Sequence, residues 1–144
     1  MQINPDYNTT AFTIRAYEEG EIIVYEPISK KLNTPTEDGK PRVNTSLLKM
    51  SDAFIITPKK LIKKWDIETP EALAKDHFES FSELQPELII LGTGDKMYFP
   101  PAETYLFLQK QGIGVEVMTT SAACRTYNFL VSDGRNVAAG LFMI

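Results

Sequence analysis

Glycines and hydroxyl-bearing residues suited to ligand binding gather at two points in the carboxyl half of the chain. Gly92–Gly94 (Gly-Thr-Gly) follows the apolar run Leu88–Leu91, and Thr119–Ser121 (Thr-Thr-Ser) follows the apolar run Val115–Met118. Glycine permits positive φ and close backbone approach, while hydroxyls hydrogen bond to anions and polar ligands. A small-anion or metabolite site is therefore one hypothesis for these stretches.

Arg125 and Asn128 would share a polar helical stripe with Ser121, because the spacings along this stripe are four and three residues. Arg125 would anchor an anion, and Asn128, a poor helix former, would hydrogen bond to the Gly92–Gly94 loop. Two plainer interpretations stay open: a tight strand-to-helix turn with threonine caps, and Arg125 paired with a surface acid. The candidate ligand- or partner-binding residues are Gly92, Thr93, Gly94, Thr119, Thr120, Ser121, Arg125 and Asn128.

The sequence offers little for catalysis. His77 is the single histidine and lies on a different predicted helix, so a serine or cysteine at this edge has no obvious base. Cys124, the single cysteine, is either a reactive thiol beside Arg125 or a small buried hydrophobe. No Asp/Glu cluster has metal-ligand spacing, and Met97 stands where a dinucleotide-binding motif has its third glycine. We therefore assign no catalytic residue, metal ligand or cofactor, and favour a non-enzymatic protein over an enzyme.

Three apolar runs separated by two helical segments predict a β-α-β-α-β unit in this half. The predicted strands are Leu88–Leu91, Val115–Met118 and Val137–Ile144; the helices are Ala102–Gln111 and a segment that follows Thr119–Ser121 and ends near Ser132. Parallel strands with right-handed crossovers bring their carboxyl ends to one edge, where open α/β sheets bind ligands. The helix N-termini at that edge would favour an anion.

The amino half predicts further β structure. Phe12–Tyr17 alternates apolar and polar residues, Glu18–Gly20 supplies a turn and Ile22–Tyr25 returns, which predicts a β-hairpin. We predict an α/β fold: a single three-layer domain with a mixed sheet, the carboxyl-terminal β-α-β-α-β unit and an amino-terminal β-rich edge. The remaining predicted elements are short strands at Ile28–Leu32, Val43–Leu48 and Ala53–Thr57, and helical segments at Glu68–Leu73, with Thr69 as N-cap, and Asp76–Leu84.

Two charged segments each allow two interpretations. Asn33–Pro41 contains prolines, a glycine and charges, which predicts an exposed loop that is either an insertion or a mobile binding loop. Leu61–Ile62 is surrounded by lysines, which form either a basic patch for an anionic partner or a solvated strand or turn with its apolar residues turned inward. These lysines are Lys59, Lys60, Lys63 and Lys64.

The length and charge of the chain bound the class of protein. Its 144 residues fit one domain, 1–144, with residues 1–10 as a flexible terminus. The net charge of −4 does not indicate the basic surface of a nucleic-acid-binding protein. No apolar run approaches the length of a membrane span. The amino-terminal residues lack the pattern of a secretory signal, and the lone cysteine fits a reducing compartment, so we expect a cytoplasmic location.

Three stretches of the chain resemble a known family: 86–95 (PELIILGTGD), 112–130 (from GIGVEVMTT to AACRTYNFL) and 133–141 (DGRNVAAGL). They are similar to a domain-of-unknown-function family that includes bacterial and archaeal hypothetical proteins and the mitochondrial NADH dehydrogenase (complex I) assembly factor 3. The resemblance is strong over residues 86–142 and weaker before them. Positions that match the family pattern are Gly92, Thr93, Gly94, Thr119, Ala123, Thr126, Asn128 and Arg135.

The resemblance implies a compact three-layer α/β domain with no established enzyme activity. For the mitochondrial member it implies work as an assembly partner within a protein complex. Our first hypothesis is thus an uncharacterised interaction domain that holds a protein partner through the Asn33–Pro41 loop or the aromatics Tyr98 and Phe99. The apolar end Leu141–Ile144 also favours self-association. The alternative is a small-anion or metabolite-binding protein, or an enzyme, that uses the edge formed by Gly92–Gly94 and Thr119–Ser121.

Overall fold

The computed structural model describes residues 1, 10–27 and 46–144 of the chain. The predicted strand Ile28–Leu32, the predicted loop Asn33–Pro41 and most of the predicted flexible terminus lie outside these residues. The strands are β1 (Thr13–Glu18), β2 (Glu21–Tyr25), β3 (Leu47–Met50), β4 (Phe54–Ile56), β5 (Leu61–Ile62), β6 (Leu88–Gly92), β7 (Gly114–Met118) and β8 (Val137–Leu141). The α-helices are α1 (Lys75–Leu84), α2 (Leu106–Lys110) and α3 (Thr120–Ser132), and short 3-10 turns occur at Pro70–Ala72 and Ala102–Thr104.

Strands β1, β2 and β3 form a small antiparallel sheet in that order. β1 and β2 are the predicted hairpin, and Gly20 at its turn has a φ of +73°, which glycine adopts without steric cost. β3 begins at Leu47, later than the predicted strand Val43–Leu48, whose first residues lie outside the described range.

The larger sheet has five strands in the order β5-β4-β8-β6-β7. β6 runs parallel to both β7 and β8, which confirms the predicted β-α-β-α-β unit, while β4 is antiparallel to β5 and β8. The sheet is therefore mixed, as predicted. β8 ends at Leu141 rather than at Ile144, because Leu141 pairs with Gly92 and Phe54, the terminal residues of its two neighbours.

Helix α3 lies between the two sheets and forms one apolar core with both. Its residues Ala123, Tyr127 and Val131 pack in a cluster that contains Ile22 of the small sheet and Ile90 of the large sheet. On the opposite face of the large sheet, a second cluster joins α1 and α2 to that sheet. The additional amino-terminal β structure is thus a separate sheet that covers α3.

Several helical segments begin or end differently from the prediction. The predicted helix Ala102–Gln111 is a 3-10 turn followed by the short α2, because Tyr105 between them leaves helical geometry (φ −126°, ψ 7°) and packs its ring 5.5 Å from that of Phe78. Thr69 precedes the first 3-10 turn as expected, but its side chain makes no capping hydrogen bond.

The lysine-rich segment forms the short edge strand β5. Leu61 and Ile62 are half-buried, whereas the four flanking lysines are exposed. This arrangement fits the interpretation of a solvated strand, and exposed lysines also discourage pairing of another chain with a sheet edge.

Candidate functional site

Gly92 ends β6 at a point where the backbone of the strand is closely covered. A Cβ atom on Gly92 would lie 2.9 Å from Ala123 Cβ, 2.9 Å from Leu141 Cδ2 and 3.0 Å from Thr120 Cα. Contacts this short between a new Cβ and its neighbours require something to move. Gly92 therefore allows α3 and β8 to pack directly against β6.

The hydroxyl of Thr93 holds the loop that follows β6. It donates to the carbonyl of Lys96 (2.7 Å) and accepts from the backbone N–H of Tyr98 (3.0 Å). The backbone N–H of Thr93 donates to the carbonyl of Met118 (3.0 Å) and continues the pairing of β6 with β7. Thr93 is 5% exposed, so these bonds lie in a largely dry setting and fix the shape of the loop.

Thr120, fully buried at the start of α3, joins three segments. Its hydroxyl accepts from the N–H of Gly94 (2.8 Å) and donates to the carbonyl of Phe142 (2.7 Å), and its own N–H donates to the carbonyl of Gly94 (2.9 Å). Thr119 is the N-cap of α3, because its hydroxyl accepts from the N–H of Ala122 (3.4 Å). The predicted threonine caps are thus present in part.

The structure brings the Gly92–Gly94 and Thr119–Ser121 stretches together, as predicted. Most of their described polar groups hydrogen bond to one another or to the neighbouring backbone. Ser121 is half-buried, and its hydroxyl lies 3.4 Å from that of Thr119. Binding of a ligand at this edge stays a prediction.

The prediction for Asn128 was wrong. Its amide does not reach the Gly92–Gly94 loop; instead it pairs with the backbone of Ile14 in β1, accepting from its N–H (2.8 Å) and donating to its carbonyl (2.7 Å). The pairing register of β1 with β2 shifts between Ile14 and Ala16, so the side chain of Asn128 satisfies backbone groups beside this irregularity.

Arg125 lies on the exposed side of α3 and contacts the small sheet. Its guanidinium donates to the hydroxyl of Tyr17 (2.7 Å) and to the sulfur of Met1 (2.9 Å). The ion pairs between described residues do not include Arg125, so pairing with a surface acid is not found there.

The remaining chemically capable side chains have structural surroundings. Cys124 is fully buried, and burial raises the pKa of its thiol to about 12 despite the nearby charge of Arg125. His77 accepts a hydrogen bond from the N–H of Ala74 through Nδ1 (3.0 Å). No group of three or more His, Cys, Asp or Glu residues suited to a metal occurs within the part of the chain that the structure describes.

Two surface features lie outside the predicted edge. Phe99 is 66% exposed and Met97 is 51% exposed, whereas Tyr98 between them is half-buried. Sequence analysis found Phe99 but missed Met97, whose type gives no signal of exposure. It also missed a groove on the outer face of the small sheet, which alternation along the strands could have indicated. This groove is lined by Arg15, Ala16, Ile23, Leu47 and Lys49.

Comparison with family models gives the class of protein. Residues 34–142 match the family described as "Protein of unknown function (DUF498/DUF598)", and the chain belongs to that family. The match begins well before the stretch 86–142, over which the sequence resemblance is strong.

Curated relatives match over about half of the chain. A "13 kDa major membrane protein" of Francisella tularensis is 38% identical over 72 residues, which are 50% of this chain and 58% of that protein. Human "NADH dehydrogenase [ubiquinone] 1 alpha subcomplex assembly factor 3" is 33% identical over 82 residues, 56% of this chain and 45% of that protein. The chain thus spans about half the length of the curated relatives it matches.

Solved structures with the same fold match almost the whole chain. A Bordetella parapertussis protein has a TM-score of 0.74 at 27% identity, covering 96% of this chain and 100% of that one. A Xanthomonas campestris protein has a TM-score of 0.69 at 30% identity, covering 99% and 89% respectively. A Bordetella pertussis protein described as a Mth938-like domain shares the fold (TM-score 0.70, 22% identity, 99% and 92% coverage).

The α-helices among the described residues have at most 13 residues. None of them is both long enough and apolar enough to cross a bilayer.

Proposed function

We propose that this chain is a non-enzymatic protein-interaction domain that acts like an assembly factor. The similarity to NADH dehydrogenase assembly factor 3 of several animals supports this role, since that protein is named for assembling a complex. In this role the chain would hold another protein during assembly and carry out no reaction of its own.

The observation that carries the proposal is an exposed phenylalanine on a loop of fixed shape. The hydroxyl of Thr93 holds the loop at Lys96 and Tyr98, and Pro100 on the far side of Phe99 is buried. Phe99 is therefore held out in solvent between two anchored points. Covering such a ring on binding is worth about 1.5–3 kcal/mol, and a loop that is already ordered loses little entropy when it binds.

The surroundings of the reactive side chains agree with this role. The Cys124 thiol is buried and its pKa is raised to about 12, so it is a poor nucleophile in the folded protein. The imidazole of His77 is engaged with the start of α1. These contacts support a structural use of both residues.

The test is affinity purification of the tagged full-length chain from its own cells. We expect at least one protein to co-purify in a fixed ratio, and Phe99→Ala to lose it with an unchanged melting temperature. Phe129→Ala is the matched control, because Phe129 is a similarly exposed phenylalanine (69%) nine residues into α3, about 13 Å along the helix from its start. No partner, or equal retention by all three proteins, would contradict the proposal.

The second proposal is a small-anion or metabolite site at the edge formed by Gly92–Gly94 and Thr119–Ser121. It is favoured by Arg125, whose guanidinium donates to the hydroxyl of Tyr17 and the sulfur of Met1 and is in none of the ion pairs between described residues. A thermal-shift series with inorganic phosphate, phosphorylated metabolites and carboxylates tests it. A rise in melting temperature that Arg125→Ala abolishes would support the site, whereas no shift with any compound would remove it.

A further inference from the structure

Strand β7 lies at one end of the strand order of the large sheet. It is the last strand of the large sheet, and among the described strands it pairs only with β6. A strand at the edge of an open sheet has a row of backbone N–H and C=O groups available to pair with another strand.

The pairing register identifies which groups of β7 face away from β6. Gly114 N–H donates to the carbonyl of Glu87 (3.3 Å), and the carbonyl of Met118 accepts from Thr93 N–H (3.0 Å). In a parallel pair the residues that bond to one neighbour alternate along the strand. Gly114, Glu116 and Met118 therefore bond to β6, while the N–H and C=O groups of Val115 and Val117 point outward.

Two other sheet edges are blocked. β5, at the opposite side of the large sheet, is two residues long and has exposed lysines before and after it. Along β1, Asn128 occupies both backbone groups of Ile14, and Tyr17 N–H donates to the carbonyl of Met1 (3.1 Å). β7 has five residues and a single charged side chain, Glu116, and carries neither kind of protection.

Glu116 lies at the centre of β7, where its charge affects which strand could pair with this edge. It is exposed, and the ion pairs among the described residues do not include it. If two copies of β7 paired antiparallel with full overlap, Glu116 would face Glu116 of the second copy, which is unfavourable. A strand with Lys or Arg at that position would gain from the same geometry.

We propose that β7 binds an extended segment of a partner protein that places a basic residue opposite Glu116. The segment runs antiparallel to β7 and exchanges backbone hydrogen bonds with Val115 and Val117. This is strand addition at a sheet edge, a recurrent mode of peptide recognition. The inference rests on the proposed interaction function and specifies a surface and a partner for it.

Residue-resolved amide exchange of the free protein is the first test. We expect fast exchange at Val115 and Val117, and slow exchange at Glu116 and Met118, whose N–H groups bond to β6. Slow exchange at all four in the dilute monomer would overturn the proposal, because the edge would already be covered. Protection of Val115 and Val117 that grows with protein concentration, together with dimer formation, would assign the edge to a second copy instead.

Peptide binding is the second test, read from the same NMR spectra. The probes are acetyl-Ser-Thr-Val-Lys-Val-Thr-Ser-amide and the same peptide with Glu at its centre, each at millimolar concentration. We expect the Lys peptide to slow exchange at Val115 and Val117 and to bind about fivefold more tightly than the Glu peptide. Glu116→Lys should reverse this preference.

Val117→Pro gives a matched backbone control, because it removes one outward N–H and none of the bonds to β6. The proline variant should abolish binding of the Lys peptide. If it fails to fold, Glu116→Lys still tests the proposal, because it should reverse the preference between the two peptides. Equal binding of both peptides, or no change at β7 with either, would overturn the inference. If the peptides give this negative result while partner capture in cells still depends on Phe99, only the proposal for the β7 edge is rejected. If no partner is captured in cells at all, the proposed interaction function is rejected.

Discussion

Asn128 shows how a polar residue in the middle of a helix can be structural. It is 7% exposed, and its amide pairs with both backbone groups of Ile14, which lies 114 positions earlier in the chain. Asparagine disfavours helix interiors, but its side chain offers one acceptor and two donors in a small volume. Here that side chain ties α3 to β1.

We predict that Asn128→Ala lowers the free energy of unfolding by about 2–4 kcal/mol, because it leaves a buried donor and a buried acceptor of Ile14 without partners. Urea unfolding followed by fluorescence of Trp65, the single tryptophan, measures this change. Asn136→Ala is the control, since its side-chain bond to the carbonyl of Gln85 (3.1 Å) is exposed. A loss for Asn128→Ala no larger than for the control would show that the two bonds contribute little.

The buried thiol of Cys124 makes the free energy of unfolding depend on pH. Burial raises the pKa of its thiol from the ordinary value of 9.0 to about 12, so the unfolded chain loses the proton at lower pH than the folded protein. The contribution of Cys124 to stability is then complete below about pH 9 and is lost as the pH rises toward 12. Burial also raises the pKa of Tyr127, which acts in the same direction at higher pH.

We expect the free energy of unfolding to fall by about 1 kcal/mol per pH unit above pH 9 through this thiol. The measurement is a series of urea unfolding curves between pH 8 and pH 11, compared with Cys124→Ala. The variant should show a shallower decline, since it keeps Tyr127 but has no thiol to ionise. If the free energy of unfolding falls equally with pH in the two proteins, this would count against a strongly raised pKa of the Cys124 thiol.

At the level of elements, the contact between β6 and α3 depends on the absence of a side chain at Gly92. The helix backbone approaches so closely that a Cβ would lie 3.0 Å from Thr120 Cα. Gly114 occupies the adjacent parallel strand, but a Cβ there would meet only the flexible end of Leu88, at 3.1 Å. The two glycines thus differ in what surrounds them although both are in strands.

We predict that Gly92→Ala destabilises the protein by about 1–3 kcal/mol, because α3 or β8 must shift to admit the methyl group. Gly114→Ala should change stability by less than about 1 kcal/mol, since Leu88 can move and alanine suits a strand better than glycine. Thermal unfolding of both variants measures the difference. Equal effects would contradict the close approach of α3 to β6.

The elements of the carboxyl half were predictable because their signals are local. Apolar runs of four or five residues ended by glycine or threonine give the strands, and the parallel topology follows from the intervening helices. The break at Tyr105 was not predictable, because it depends on a ring contact with Phe78 in another helix. The partner of Asn128 was missed for the same reason: it belongs to a strand at the other end of the chain.

For the whole molecule, the position of α3 between two sheets explains why the candidate edge is closely packed. One end of this helix must fit against β6, β8 and the loop after Gly94, so Thr120 is fully buried there. The sequence predicted that Gly92–Gly94 and Thr119–Ser121 lie together, which they do, but it wrongly joined Asn128 to this edge and gave no measure of the space that remains there. Among the described residues, the Phe99 loop and the outer side of β7 are two surfaces that offer exposed groups for binding.

Photo-crosslinking in the source cells tests the interaction function most directly. A photoreactive phenylalanine analogue at position 99 of the full chain should form an adduct with one discrete protein, and the same analogue at position 129 should not. Both positions hold exposed phenylalanines, so the analogue disturbs neither of the two apolar clusters. A single adduct specific to position 99 is the predicted result. No adduct at position 99, or the same adducts at both positions, would contradict the assignment of this chain as an interaction domain that uses the Phe99 loop.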